Sequence, residues 1–268
     1  MMFSEEQKER YARHLILDGV GVRGQERLLS SKVLVIGAGG LGSPALLYLA
    51  ASGVGTIGIV DGDTVDLTNL QRQVIHGTPD LGVRKVKSAA ASIKRMNPDV
   101  KTNLYDGRIG VDNIFDIIEG YDFILDAVDS FAAKFLINDA CVLAGKPFCH
   151  AGALGFGGQI MTYVPGDGPC FRCVFEEIPP EGDADTCAKA GVLGTVPGIL
   201  GSLQALEAQK YLLGLTGLLT SKILMFDGKT AGFRTVQIEK RSESCRVCGK
   251  NPDIKKLCKD NYVALPHR

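Results

Sequence analysis

Along the first half of the chain, short β-rich apolar runs alternate with helical periods, the signature of a parallel sheet built from βαβ units. KVLVIGAGGLGSPALLYLAASG reads as strand, glycine turn and helix, and TIGIVDGD as the second strand. A helix from about Val83 to Met96 is stopped by Asn97 and Pro98. DFILDAVD has the unbroken apolar character of a central buried strand, and FAAKFLINDACVLAG the pattern of the helix after it. Ahead of all these, Ser4 and Gln7 have capping-box spacing, and Tyr11, Leu15 and Ile16 share one face of the opening helix they predict. After Pro147 the pattern changes. FCHAGALGFGGQIMTYV is strand-rich, an irregular stretch runs to about Gly194, and a helix is expected near Pro197 to Leu213. KILMFDG and GFRTVQIEK close the sheet, and the last twenty residues, 249–268, read as a polar tail without a period. The fold class is α/β: a Rossmann-like nucleotide-binding fold on a continuous, mostly parallel sheet.

Composition narrows the chemistry. With 268 residues and 45% hydrophobic content, the chain can bury a full core. Thirty basic and thirty acidic side chains cancel, so no long-range field draws the molecule to nucleic acid or an anionic membrane. The charged opening MMFSEEQKER and the short apolar runs speak against a secretory signal or a membrane span, and a cytoplasmic location is expected. There, eight cysteines point to metal ligands, catalytic thiols or packing rather than disulfides.

Gly37, Gly39, Gly40 and Gly42 satisfy GxGxxG between a strand and a helix. Glycines let the backbone approach a phosphate, and the helix presents free N–H groups and its positive end to that anion. Asp61, ending the second strand, is placed to accept from ribose hydroxyls. The segment DGDTVDLTNLQRQVIHG then concentrates Asn69, Arg72 and Gln73, which suit a triphosphate better than a redox cofactor. Cleaving such a chain loads charge onto non-bridging oxygens, which fixed cations stabilise. Lys85 in the next helix's first turn can reach the same phosphates, and Asp129, near the C-terminal end of the strand DFILDAVD, can hold Mg²⁺.

Cys170 and Cys173 in CFRC, with Cys245 and Cys248 in CRVC, form two Cys-x-x-Cys pairs. Four thiolates so spaced suit a closed, tetrahedral, structural Zn²⁺ that clips two distant segments together. Cys141 and Cys149 fall in apolar elements and read as core, and Cys258 lies in the tail. Cys187, in DADTCAKAG, stands apart in a polar, glycine-flanked segment.

RYARHLI, GAGGLGSPA, VDGDTVDLTNLQRQ, the lysine of GVRKVKSA, DAVDS, GQI, the two cysteine pairs, TCAKAGVLG and GSLQALEAQKYLLG together resemble the ThiF/MoeB/HesA family, bacterial relatives of ubiquitin-activating enzymes. The resemblance spans nearly the whole chain and implies one adenylation domain over residues 1–248. About 1–165 would bind ATP, and 166–248 would hold the zinc and the carrier. The implied enzyme is an adenylyltransferase that uses Mg-ATP to activate the C-terminal glycine of a ubiquitin-like sulfur carrier ending in Gly-Gly, for thiocarboxylate formation in thiamine, molybdopterin or related biosynthesis. It implies a homodimer in which Arg13 reaches the partner's nucleotide site. Gly39 and Gly40 would serve the phosphate turn, Asp61 the ribose, Asn69, Arg72 and Lys85 the triphosphate, and Asp129 magnesium. Cys187 matches a family cysteine on a crossover segment that in some members handles sulfur or the carrier. Ser130 departs from the asparagine common in the family. Only a tail with Cys258 follows Cys248, so sulfur is expected from a separate donor protein or from sulfide. Two alternatives stay open: an NAD-dependent oxidoreductase, resting on the glycine turn and Asp61 alone, and a family member that activates a modified tRNA base for cyclisation.

Overall fold

In the computed structural model, which describes residues 3–180, 190–238 and 240–263, the two most apolar strand runs lie side by side in an eight-stranded sheet. In chain order the first elements are helices α1 (Glu5–Arg10), α2 (Ala12–Leu15) and α3 (Gly21–Ser30), strand β1 (Lys32–Ile36) and helix α4 (Gly42–Ala51). Then come β2 (Thr56–Asp61), α5 (Lys85–Met96), β3 (Lys101–Asp106), α6 (Ile114–Ile118), β4 (Phe123–Asp126) and α7 (Phe131–Leu143). β5 (Phe148–Leu154), β6 (Gly157–Tyr163), α8 (Phe171–Val174), α9 (Thr195–Leu213), β7 (Lys222–Asp227) and β8 (Gly232–Gln237) follow.

The strand order is β3-β2-β1-β4-β5-β6-β7-β8. The first five run parallel, and β6, β7 and β8 join antiparallel, which bears out the mostly parallel expectation. The chain leaves β1 toward β2 and β3 on one side and returns from β3 to β4 on the other, so the loops after Ile36 and Asp126, paired in register, part to open a crevice. Open α/β sheets bind ligands at this point.

Each face of the sheet carries its own core. α4, α5 and α9 cover one face around Leu46, Leu49, Ile93 and Leu200. α6, α7 and the cysteine-bearing segments cover the other around Ile118, Phe135, Ile137 and Phe171. β4 is buried along its whole length, because helices pack on both of its faces. α9 passes so close to the glycine turn that a Cβ at Gly201 would stand 2.1 Å from the Leu41 carbonyl oxygen. That approach explains a mid-helix glycine that propensity alone disfavours.

Three differences from the pattern-based expectation have physical causes. The Ser4/Gln7 capping box forms, but the opening helix stops at Arg10. Tyr11 turns inward to 2% exposure, its hydroxyl accepting from Asn97 Nδ2 at 2.9 Å, and Ile16 is left 77% exposed. β3 is a largely exposed edge strand, so it lacks the apolar signal by which the others were recognised. The segment after Cys248 does pack: Ile254 is buried, and the Tyr262 hydroxyl donates to Asp139 Oδ2 at 3.1 Å. No helix among the described residues is long and apolar enough to cross a membrane.

Candidate active site

The crevice is a cleft of about 1080 Å³ at the C-terminal ends of the parallel strands. Its wall contains Gly37, Gly39, Gly40, Asp61, Arg72, Lys85 and Asp129, so most of the residues assigned to the nucleotide from sequence converge on one space. Their separations in the chain are spanned by β1, β2, α5 and β4, whose ends all meet at the topological switch.

The four glycines of the turn divide by function. Gly37 has φ +102°, and a Cβ there would lie 2.7 Å from the Ala127 carbonyl oxygen. A Cβ at Gly42, behind the cleft at the start of α4, would lie 1.9 Å from the Gly37 carbonyl oxygen. These two permit the tight strand-to-helix packing. A Cβ at Gly39 meets only Gln73 Nε2, at 3.6 Å. That glycine is open toward the cleft and leaves room for a ligand.

Asp61 ends β2 with one carboxylate oxygen accepting from the Ala38 N–H at 2.8 Å and the other from the Asp63 N–H at 2.9 Å. It therefore braces the turn as well as facing the cleft. The buried Lys85 donates to Asp63 Oδ2 at 3.1 Å, and Arg108 approaches Asp63 Oδ1 at 3.3 Å. Burial would push the Asp63 carboxyl up, but hydrogen bonds and charge from Lys85 and Arg108 outweigh it and hold the group below the usual carboxylate range. Arg72 is steadied by donation to the Thr68 carbonyl at 3.1 Å. Asn69 lies outside the cleft wall, and its carbonyl accepts from the N–H groups of Arg72 and Gln73. Arg13, on the exposed side of α2, is likewise outside this wall. Cys187 lies outside the described residues.

A charged cluster that sequence reasoning missed sits at the cleft floor. Asp126 is fully buried and accepts from His150 Nδ1 at 2.7 Å. Lys134 Nζ lies 3.4 Å from its Oδ1 and donates to the Ala151 carbonyl at 2.8 Å. Burial would raise the Asp126 carboxyl, but Lys134 and His150 bring it below its ordinary value. Burial, helped by the Lys134 charge, pushes His150 down to about 4, so the imidazole is neutral beside an ionised pair. A single lysine inside FAAKFLINDA and a single histidine inside FCHAGAL were the available signals: charged or titratable groups in apolar elements are retained when paired.

Cys170, Cys173, Cys245 and Cys248 come together as expected. Their sulfurs are 3.9 Å (170 to 173), 3.7 Å (170 to 245), 3.3 Å (173 to 248) and 3.4 Å (170 to 248) apart. A tetrahedron of sulfurs about 2.3 Å from one zinc has edges of about 3.8 Å, so the set fits a single ion. Each pair is folded by a tight turn, Cys173 N–H to Cys170 carbonyl at 3.0 Å and Gly249 N–H to Cys245 carbonyl at 2.9 Å. Between Cys170 and Cys173, the buried Arg172 forks onto Asp139 at 2.7 and 2.9 Å and stacks on Phe135, 4.5 Å from the ring centroid. That fork locks the cysteine module to α7.

Comparison with known proteins gives the chain a family and related folds. The ThiF family model matches residues 11–247. The adenylyltransferase and sulfurtransferase MOCS3 of Mus musculus is 46% identical over 248 residues, 92% of this chain and 54% of that protein. The SAMP-activating enzyme E1 of Haloferax volcanii is 46% identical over 244 residues, 91% of this chain and 90% of that protein. The chain thus spans about half the length of the mouse MOCS3 protein it matches. Among solved structures, E. coli MccB with ATP superposes with a TM-score of 0.80 over 92% of this chain and 75% of that one, at 23% identity, which speaks for the fold.

Proposed function

The chain belongs to the ThiF family, and from that premise we propose that it is an ATP-dependent adenylyltransferase acting on the C-terminal glycine of a ubiquitin-like sulfur carrier ending in Gly-Gly. The observation that carries this reading is the convergence of the open Gly39, Asp61, Arg72, Lys85 and Asp129 on one cleft. The turn at Gly39 and Gly40 takes phosphates, Asp61 the ribose, and Arg72 and Lys85 the charge that builds on the leaving pyrophosphate. Asp129 would hold Mg²⁺, which supplies further charge neutralisation when bound. The carrier's carboxylate is its own nucleophile toward the α-phosphorus, so the protein needs positioning and electrostatics rather than a base. Asn69 contributes through the loop that carries Arg72, and Arg13 through the partner's site in a homodimer. The four cysteines would hold a structural Zn²⁺, and metal analysis is expected to find about one zinc per chain.

A separate sulfur donor then converts the acyl-adenylate to a thiocarboxylate, in thiamine, molybdopterin or a related pathway, in the cytoplasm. In this reading Cys187 handles sulfur or the carrier. Cys187→Ala keeps pyrophosphate exchange and loses thiocarboxylate formation or covalent carrier linkage.

The test is ATP–pyrophosphate exchange with a small carrier ending in Gly-Gly, run beside a tRNA arm. Carrier-dependent exchange that Asp129→Ala abolishes supports the proposal. Exchange stimulated only by tRNA would move the activity to a modified base, and no exchange with either would remove adenylation.

A further inference from the structure

Ala38, between the first two glycines of the turn, is gripped from both sides. Its N–H donates to Asp61 Oδ2 at 2.8 Å, and its carbonyl oxygen lies 3.0 Å from His76 Nε2. A carbonyl only accepts, so Nε2 carries the ring proton. His76 Nδ1 lies 2.8 Å from Ser88 Oγ, on α5 one turn beyond Lys85. The ring is 7% exposed, and burial lowers its pKa from the ordinary histidine value.

A trans peptide is planar, so the Ala38 carbonyl and the Gly39 N–H point in opposite directions within one plane. With the carbonyl pinned toward His76, the Gly39 N–H faces away from the histidine, on the side where Gly39 lines the cleft. That N–H has no acceptor among the described residues. An unpaired backbone donor at an otherwise well-bonded turn costs stability unless a ligand or water satisfies it.

We propose that His76 is a positioning residue for the phosphate turn: by holding the Ala38 carbonyl it aims the Gly39 N–H at an anionic oxygen of the nucleotide, and through Ser88 it ties that donor to the helix bearing Lys85. The proposal deepens, and rests on, the nucleotide reading above. His76 would touch no substrate atom.

Two amide variants separate aiming from general support. His76→Gln places an amide nitrogen where Nε2 stands and can still donate to Ala38. His76→Asn places it at the Nδ1 position and reaches only Ser88. Positioning predicts that His76→Asn weakens MgATP binding about tenfold or more while His76→Gln stays within about threefold of wild type, at similar thermal midpoints. Equal weakening by both, or none by His76→Asn, overturns it. Wild-type protein that binds no MgATP removes the nucleotide reading and this inference with it. A readout independent of variant folding is the Gly39 amide in protein labelled with ¹⁵N-glycine. Saturating MgATP is expected to move that resonance downfield and protect it from exchange, and an unchanged Gly39 signal overturns the assignment.

Discussion

Lys85 Nζ donates to Asp63 Oδ2 at 3.1 Å, pairing a lysine side chain 7% exposed with an aspartate side chain 51% exposed. The pair holds the ammonium at the cleft wall while leaving its partner hydrated. Lys85→Met keeps the buried stem and removes the charge. Stability is expected to change by less than about 1 kcal/mol, because Asp63 keeps water and Arg108. Carrier-dependent exchange should fall by about a hundredfold. Urea unfolding beside exchange kinetics checks this, and a parallel loss of both would make Lys85 a structural residue.

The glycines of the turn give a second contrast. Gly42→Ala puts a methyl group 1.9 Å from the Gly37 carbonyl oxygen, where backbone must move, and should cost about 3 kcal/mol or more in unfolding free energy. Gly39→Ala meets only the end of a glutamine at 3.6 Å, so the fold should be retained while MgATP affinity drops. If Gly39→Ala binds MgATP as wild type does, phosphates do not approach there.

Arg172 and Asp139 form a fully buried, two-pronged pair. Removing one partner strands the other charge, so Arg172→Met is expected to cost about 3–5 kcal/mol, whereas the double variant with Asp139→Leu recovers part of it. Additive losses in this cycle would show that the pair contributes packing alone.

His150 makes stability fall on mild acidification. Burial and Lys134 push its folded value down to about 4, against about 6.5 when unfolded. Between those values the unfolded chain binds a proton that the folded chain does not, so stability declines as pH drops through the window, by at most about 1.4 kcal/mol per pH unit. His76, lowered by burial, adds in the same direction. His150→Asn keeps a donor for Asp126 and removes the titrating ring. Urea unfolding at several pH values down to 4.5 should show a shallower decline in the variant, and parallel curves would place a charged ring in the folded protein.

Residues close together in sequence, or bound by strict local chemistry, announced themselves. The buried strands, the glycine turn, Asp61, Arg72, Lys85, Asp129 and the two Cys-x-x-Cys pairs each carry a period or a spacing that local physics dictates, and they pointed to the α/β class and to the residues of the cleft. The exposed edge strand β3 carried no such signal. Nor did the break at Tyr11, which depends on a hydrogen bond from Asn97, eighty-six positions away. Asp126, Lys134 and His150 form a cluster only because β4, α7 and β5 are neighbours in three dimensions. The sequence by itself determined the buried strands, the glycine turn and the cysteine pairs, and pointed to the residues that line the cleft. Tertiary structure alone decided which buried charges share a partner and which way the Gly39 N–H faces, because burial and orientation belong to the packed sheet rather than to any stretch of chain.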